Sequence, residues 1–178
     1  TLSSSSAASD VYKRQPYNEA GSSSHVRFGT TKTNFWTPRA DKCPINLVVC
    51  DQDWEAAAAQ ALDGMPEVLR YVKNDRLGFE VPYVHGGTEH HYRPDFIVVV
   101  DDGRGPDDPL NLVLEVKGRQ TPQDDAKHDT IQRLWIPAVN ALGRFGRWDF
   151  ARVDGPFGVD EVIRRHIAAR CGMQSVAA

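Results

Sequence analysis

Apolar residues occur along this chain in short runs separated by polar segments, a pattern that is typical of buried strands. The longest uninterrupted run, Phe96–Val100, has five residues, whereas a membrane-spanning helix needs about 20. A soluble protein is therefore expected. The short runs predict strands over Val26–Thr33, Ile45–Cys50, Phe79–Val84, Tyr92–Val100, Leu110–Lys117 and Arg147–Val153.

Other segments have apolar residues at helical spacing or begin with helix-start signals. They predict helices that begin near Asp53 and that span Met65–Asn74, Asp124–Leu142 and Val159–Arg170. Asp51 or Asp53 can cap the first helix, and Pro66 suits the first turn of the second. Pro137 predicts a kink in the third helix, because proline removes a helical hydrogen bond.

The links between the three middle strands are short, which favours antiparallel neighbours. Residues 85–88 (His-Gly-Gly-Thr) predict a hairpin turn, and the polar loop 101–109 joins the next two strands. Three strands connected in this way predict an antiparallel meander. Helices precede and follow it, and a further strand comes later. The expected fold class is therefore α/β, with a mixed sheet flanked by helices.

The length of 178 residues predicts one folded domain. Residues 1–15 begin without Met, are rich in Ser and resemble translated sequencing-adaptor sequence, so we interpret them as a non-native or disordered tail. Residues 16–44 are interpreted as a linker and N-terminal strand region, and residues 45–178 as the folded domain. We interpret the whole chain as the C-terminal piece of a longer protein.

The formal net charge of −3 does not indicate a nucleic-acid-binding protein by itself. Any binding of DNA would depend on a local patch of positive charge. The chain has three cysteines and no C-x-x-C motif. We therefore expect free thiols in a reducing compartment, which predicts a cytoplasmic protein.

Glu115 and Lys117 interrupt one apolar face of the predicted strand Leu110–Lys117. Side chains alternate between the two faces of a strand, so Glu115 and Lys117 share a face with Val113. A buried carboxylate without a partner costs several kcal/mol. Asp95 begins the apolar part of the neighbouring strand, and antiparallel pairing brings it close to both residues. Two carboxylates and a lysine indicate a site for a hard cation such as Mg²⁺, and a structural salt bridge among them is the alternative.

Pro94-Asp95 and Glu115-Val116-Lys117 resemble the two signature elements of the PD-(D/E)XK nuclease superfamily. The resemblance implies a restriction-endonuclease-like core, in which a helix, three antiparallel strands, a helix and a strand follow one another (α-β-β-β-α-β). Over about residues 25–153, the chain is similar to the C-terminal nuclease domain of the restriction subunit of type III-like restriction enzymes. The similar segments are Asp53–Glu55, Tyr71–Asn74, Phe79–Tyr83, Tyr92–Phe96, Leu112–Gly118 and Trp135–Asn140.

The resemblance implies a role for each signature residue. Asp95 and Glu115 would bind Mg²⁺, for which Mn²⁺ could substitute. The backbone carbonyl of Val116 would be a further ligand. Lys117 would orient or help to deprotonate the attacking water, and it would stabilise the charge that develops on the phosphate.

The superfamily often adds an acidic residue from a helix upstream of the strands. Glu55, on the first predicted helix, is the first choice for this role as a metal ligand and catalytic group. Glu67 is its competitor. A glutamate in the first turn stabilises any helix through the macrodipole, so a purely structural role for Glu55 stays open.

The implied function is Mg²⁺-dependent hydrolysis of phosphodiester bonds by the nuclease domain of a restriction enzyme. The expected partners are double-stranded DNA, a helicase region of the full-length chain, and a methyltransferase or specificity subunit. No association with a membrane is expected. No G-x-x-x-x-G-K-[ST] motif occurs, so no ATP site is expected in these residues. The alternatives are a recombination or repair nuclease of the same superfamily, and a non-catalytic nuclease-like domain that binds DNA or protein.

Overall fold

The computed structural model describes residues 23–117, 122–155 and 157–174. The predicted tail, residues 1–15, lies outside them. The described strands are β1 (Phe35–Trp36), β2 (Val48–Val49), β3 (Val68–Lys73), β4 (Val81–His85), β5 (Thr88–Tyr92), β6 (Phe96–Val100), β7 (Leu110–Lys117) and β8 (Arg147–Asp154). The described helices are α1 (Asp53–Gly64), α2 (Pro122–Thr130), α3 (Ile136–Leu142) and α4 (Val159–Gln174), with a 3₁₀ turn at Ser23–His25 and a π-helix at Ile131–Trp135.

A four-stranded mixed sheet with the order β3-β6-β7-β8 forms the centre of the molecule. Strands β3, β6 and β7 are antiparallel neighbours, whereas β8 runs parallel to β7. A parallel pair needs a crossover connection, which α2, the π-helix and α3 supply. Strands β4 and β5 form a separate hairpin, and β1 pairs with β2. The predicted α/β class with a mixed sheet is therefore confirmed.

Two hydrophobic clusters cover the two faces of the sheet. On one face, Leu112 of β7 belongs to a cluster with residues of α1 and α4. On the other face, Val113 belongs to a cluster with hairpin residues and with Ile131 of the π-helix. The side chains of β7 therefore alternate between the two faces of the sheet, as predicted, although residues 112–116 are all buried. The second face is the one that carries Glu115 and Lys117.

Residues 65–74, which the pattern predicts as a helix, contain strand β3 instead, so this prediction is wrong. The pairing of β3 with β6 shifts its register between Val68 and Arg70, which marks a β-bulge. Val68 and Tyr71 are the buried residues of the strand, and a spacing of three is also what a helix would produce. The bulge thus gives a strand the apolar spacing of a helix, and pairing with β6 determines the outcome.

The three antiparallel strands of the sheet are not the three that the meander prediction names. The predicted strand Phe79–Val84 corresponds to β4, which pairs with β5 in the hairpin. The predicted strand Tyr92–Val100 is divided between β5 and β6. Pro94 lies at the division, where it has no amide hydrogen to donate to a neighbouring strand. Asp95 is consequently placed just before the first residue of β6.

The N-terminal region contains shorter strands than predicted. In the described structure Val26–Thr33 forms no strand, and β1 begins at Phe35. The predicted strand Ile45–Cys50 is reduced to the two residues of β2. These residues pair in a short ribbon outside the central sheet, and Val48 and Cys50 belong to the hydrophobic cluster on one face of that sheet.

The C-terminal half follows its prediction more closely. Strand β8 and helix α4 are confirmed at the predicted positions. The irregularity predicted at Pro137 is a π-helix that directly precedes it, in which the amide of Ile136 donates to the carbonyl of Ile131. None of the helices in the described part of the chain has the length and apolar character needed to cross a bilayer.

Candidate active site

Asp95 and Glu115 meet where β6 begins and β7 approaches its end. In the β6–β7 ladder Phe96 lies opposite Leu114, so the next position along the ladder sets Asp95 opposite Glu115. Asp95 Oδ2 accepts a hydrogen bond of 2.8 Å from the backbone amide of Val116. The two carboxylates that the sequence predicts to converge are therefore neighbours across two strands.

Both carboxylates have raised pKa values. Burial is the main cause for Glu115, which is 5% exposed, and the charge of Asp95 adds to it, so the pKa of Glu115 rises to about 7. Burial is also the main cause for Asp95, whose pKa rises to about 6 although the Val116 amide opposes the shift. Tyr92 donates its hydroxyl to Glu115 Oε2 at 2.5 Å. The pair is thus held in place but poorly neutralised within the protein.

Lys117 lies on the same strand face as Glu115 and forms an ion pair with Asp124 of α2. Asp124 is 1% exposed, and its Oδ1 also accepts a hydrogen bond of 2.8 Å from Lys127. The charge of Lys117 lowers the pKa of both Asp95 and Glu115. The structure therefore brings together all three predicted signature residues.

Glu55 is buried in the first turn of α1, with 6% of its surface exposed. Its Oε2 accepts hydrogen bonds from the Asp51 amide at 2.5 Å and from Lys73 Nζ at 2.8 Å. Gln52 is the N-cap residue of α1, so the predicted caps Asp51 and Asp53 are wrong. Glu55 reaches back to the amides that precede the helix, as a glutamate at this position of a capping box does.

The structure separates Glu55 from its competitor Glu67. The charge of Glu55 contributes to the raised pKa of Asp95, so the two carboxylates belong to the same end of the sheet. Glu67 directly precedes β3, beside the opposite end of β6, and it pairs with Arg164 at 3.1 Å. Glu55 is therefore the upstream acidic residue that lies near Asp95.

The carboxylate oxygens of Asp95 and Glu115 are suitable ligands for a hard cation such as Mg²⁺. The described residues contain no group of three or more His, Cys, Asp and Glu side chains placed to hold a metal ion. Mg²⁺ usually takes one or two carboxylates and keeps several waters, and this pair of mutually repelling carboxylates meets that need. The carbonyl of Val116 faces β6 together with its amide, because both groups of a residue point to the same neighbouring strand. Glu55 binds Lys73 through Oε2, and its role as a metal ligand stays a prediction.

Two residues of the site, Asp124 and Lys73, were not predicted from the sequence. Asp124 has the position of an ordinary acidic residue in the first turn of a helix. Lys73 falls in the segment predicted as a helix. Each becomes part of the site through contacts between distant segments. Sequence periodicity reports on local structure, so it carried no signal for them.

A surface concavity of about 810 Å³ lies away from these residues, at the start of α4. Its lining includes the 87% exposed Phe157 and the ion pair between Arg165 and Glu161, at 2.6 Å. Its charged side chains therefore neutralise one another. Asp95 and Glu115 are neighbouring carboxylates whose pKa values are both raised, which makes their end of the sheet the candidate active site.

In comparisons with protein-family models, curated proteins and solved structures, nothing matches this chain. The functional argument therefore depends on the residues and their geometry. Four carboxylates and three lysines lie within electrostatic reach of one another at one end of the sheet. They are Glu55, Asp95, Glu115, Asp124, Lys73, Lys117 and Lys127.

Proposed function

We propose that this chain is the nuclease domain of a type III-like restriction enzyme and hydrolyses phosphodiester bonds in double-stranded DNA with Mg²⁺. The observation that carries the proposal is the meeting of Asp95 and Glu115, with Lys117 on the same face of β7. The order of the elements supports it. Apart from the β4–β5 hairpin between β3 and β6, helix α1, strands β3, β6 and β7, the α2–α3 crossover and β8 follow one another in the order of the PD-(D/E)XK nuclease core.

Asp95 and Glu115 would hold the metal ion together with the carbonyl of Val116. When bound, Mg²⁺ would supply Lewis acidity toward the phosphate and a lower pKa for its water. The raised pKa values of the two carboxylates reflect burial and mutual repulsion. A divalent cation relieves that repulsion, so the unfavourable electrostatics of the pair favour cation binding.

Lys117 acts on the attacking water and on the phosphate. Side chains alternate along β7, so Lys117 and Glu115 lie on the same face of the strand. The ammonium group and the carboxylate can therefore act on the same bound phosphate and water. The ammonium group orients the water and stabilises negative charge on the phosphate oxygens. Tyr92 orients Glu115. Burial and the charge of Glu115 raise the pKa of Tyr92, so its hydroxyl donates throughout the neutral range.

Cleavage of supercoiled plasmid by the full chain, with Mg²⁺ or Mn²⁺ and without ATP, tests the proposal. We expect nicked and linear products from the wild-type protein. Lys117→Ala should reduce the rate by about 10²- to 10⁴-fold, because it removes the group that assists proton transfer. EDTA should abolish cutting. Arg133→Ala is the matched control, since it removes one positive charge from a side chain that is 77% exposed.

Equal rates for the wild-type and Lys117→Ala proteins would contradict the proposal. Binding of duplex DNA without cutting would favour the non-catalytic alternative. An absence of both binding and cutting, in protein whose cooperative unfolding shows that it is folded, would overturn the nuclease assignment.

A further inference from the structure

Two lysines from different elements meet at one oxygen atom beside the candidate active site. Lys117 ends β7, and Lys127 lies on α2. Both ammonium groups donate to Oδ1 of Asp124, with a distance of 2.8 Å from Lys127. The Asp124 side chain is 2% exposed, so this junction forms part of the packed structure.

Lys127 contacts Tyr92, a residue that is bonded to Glu115 of the candidate active site. Its Nζ lies 5.6 Å from the centroid of the Tyr92 ring, and the hydroxyl of that ring donates to Glu115. The charge of Lys127 also lowers the pKa of Glu115. The Lys127 side chain is 19% exposed and that of Lys117 is 32% exposed. Both ammonium groups therefore belong to side chains that are partly accessible to a solute.

The two ammonium groups at this junction can bind a further acceptor. Each donates one hydrogen bond to Asp124 Oδ1. Each lysine ammonium has three N–H donors, so a bond to Asp124 leaves each with donors for another acceptor. A phosphodiester group has two unesterified oxygens and one negative charge. It can accept from both lysines, and it is present at every step of a DNA strand.

We propose that Lys117 and Lys127 form a two-lysine phosphate clamp, and that Asp124 is the positioning residue that holds them both. The inference rests on the proposed nuclease function, which supplies DNA as the source of the phosphate. Lys127 binds the DNA backbone, and Lys117 acts at the phosphate that is cut. Asp124 touches neither the DNA nor the metal and acts through the two lysines.

A structural ion pair is the competing explanation, because Asp124 and Lys127 are three residues apart on one helix. Such pairs stabilise helices modestly. A structural pair predicts a lower melting temperature for a Lys127 variant and an unchanged dependence of DNA binding on salt. A phosphate contact predicts a change in that dependence, because each neutralised phosphate releases condensed counterions.

The test measures binding of the full chain to a short fluorescein-labelled DNA duplex, in Ca²⁺ and at several salt concentrations. For Lys127→Ala we expect about a three- to tenfold weaker affinity and a log–log salt slope that is smaller by about one. Lys127→Arg keeps the charge and should retain the wild-type slope. Arg133→Ala removes a charge from the following π-helix, pairs with no site residue and should leave the slope unchanged.

The role of Asp124 is tested by the kinetics of plasmid cleavage. We expect Asp124→Asn to lower kcat by about tenfold or more, because Lys117 loses its fixed position. KM should rise by no more than the loss of affinity in Lys127→Ala, because Lys127 loses the same anchor but keeps its charge. A merely structural role would lower the melting temperature and leave kcat unchanged below it. If Asp124→Asn fails to fold, the clamp is still tested by Lys127→Ala and Lys127→Arg, through the salt dependence of their DNA binding.

Each outcome separates the clamp from the nuclease. A wild-type slope for Lys127→Ala in a protein that cuts DNA overturns the clamp and leaves the proposed function standing. A reduced slope in a protein that never cuts supports the clamp and overturns the nuclease. If the wild-type protein does not bind the duplex, both are overturned.

Discussion

Strand β6 has a carboxylate beyond each of its ends, and the two lie in opposite electrostatic surroundings. Asp102 follows the strand, is 2% exposed, and accepts hydrogen bonds of 2.6 and 2.7 Å from Arg147. These bonds lower the pKa of Asp102. Asp95 precedes the strand, and burial raises its pKa to about 6. One end of β6 therefore stabilises a negative charge, and the other end disfavours it.

The partners, rather than burial alone, account for the difference. The two bonds from Arg147 match the charge of Asp102 inside the protein, so this end of the strand has a structural role. At the other end, Lys73 and Lys117 form ion pairs with other carboxylates. The pKa values of Asp95 and its neighbour Glu115 stay raised despite these lysines. A single strand thus has a neutralised carboxylate at one end and a pair of poorly neutralised carboxylates at the other.

Loss of the Asp102–Arg147 pair should have the largest effect on stability. We expect Asp102→Ala to lower the free energy of unfolding by about 3–5 kcal/mol, because it removes the buried carboxylate that accepts two charged hydrogen bonds from Arg147. Urea unfolding measures the loss. Asp108 also bonds Arg147, at 2.9 Å, but its side chain is 50% exposed. Asp108→Ala should therefore lower the free energy of unfolding by less than about 1 kcal/mol. Equal losses for the two variants would contradict a special structural role for the buried Asp102.

Addition of Mg²⁺ should have the next largest effect. At a concentration of 100 times Kd, a ligand of the folded state adds about 2.7 kcal/mol of stability. We expect thermal unfolding to show this gain for the wild-type protein and not for Asp95→Asn. Glu67→Gln changes a carboxylate at the opposite end of β6 and should retain the gain. A full gain in Asp95→Asn would place the cation elsewhere.

Removal of the repelling charge should stabilise the metal-free protein. The folded pKa of Glu115 lies above its unfolded value, so ionisation of Glu115 weakens the folded state as pH rises from about 4.5 toward 7. In EDTA at pH 8 we expect Glu115→Gln to be more stable than wild type by about 1–3 kcal/mol. The gain should vanish near pH 4, where Glu115 is protonated in both states. A loss of stability at pH 8 would contradict this account.

The smallest effect concerns Asp149 of β8, which bonds Arg170 at 2.7 Å and lies 3.3 Å from His166. Burial alone would raise its pKa, but hydrogen bonds from His166, Arg170 and a backbone amide lower it to about 2. Its stabilisation is complete above pH 4 and is lost as pH falls toward 2. We expect Asp149→Asn to cost about 1–2 kcal/mol at pH 6 and less at pH 3. A constant difference between these pH values would contradict the assignment.

The predicted signature cluster depends on features that a sequence displays locally. Alternation along β7 puts Glu115 and Lys117 on one face, and Pro94 ends one strand just before Asp95. Antiparallel pairing of β6 with β7 then brings the two carboxylates together. Each step concerns neighbouring residues or neighbouring strands. For this reason the core of the candidate site could be predicted.

The missed features depend on contacts between distant segments. The bulge after Val68 gives the apolar residues of β3 the spacing of a helix. Only the pairing with β6 shows that this segment is a strand. The sequence pattern could not show that β4 and β5 form a hairpin outside the central sheet. Alternation of polar and apolar residues indicates a strand but not the strand with which it pairs. Asp124 joins the site when the crossover helix packs onto the sheet. Pattern alone therefore assigned these elements incorrectly.

The hairpin inserted between β3 and β6 has a consequence for the order of folding events. Lys73 and Phe96 must pair across the whole insertion, and the entropy of closing a loop grows with its length. A hairpin closes in about 1–10 μs, and Gly86 and Gly87 adopt the positive φ angles, 60° and 78°, that its tight turn requires. Once closed, it shortens the loop that β3 and β6 must span. The segment that brings Tyr92 to Glu115 thus also sets how quickly the first two strands of the sheet find each other.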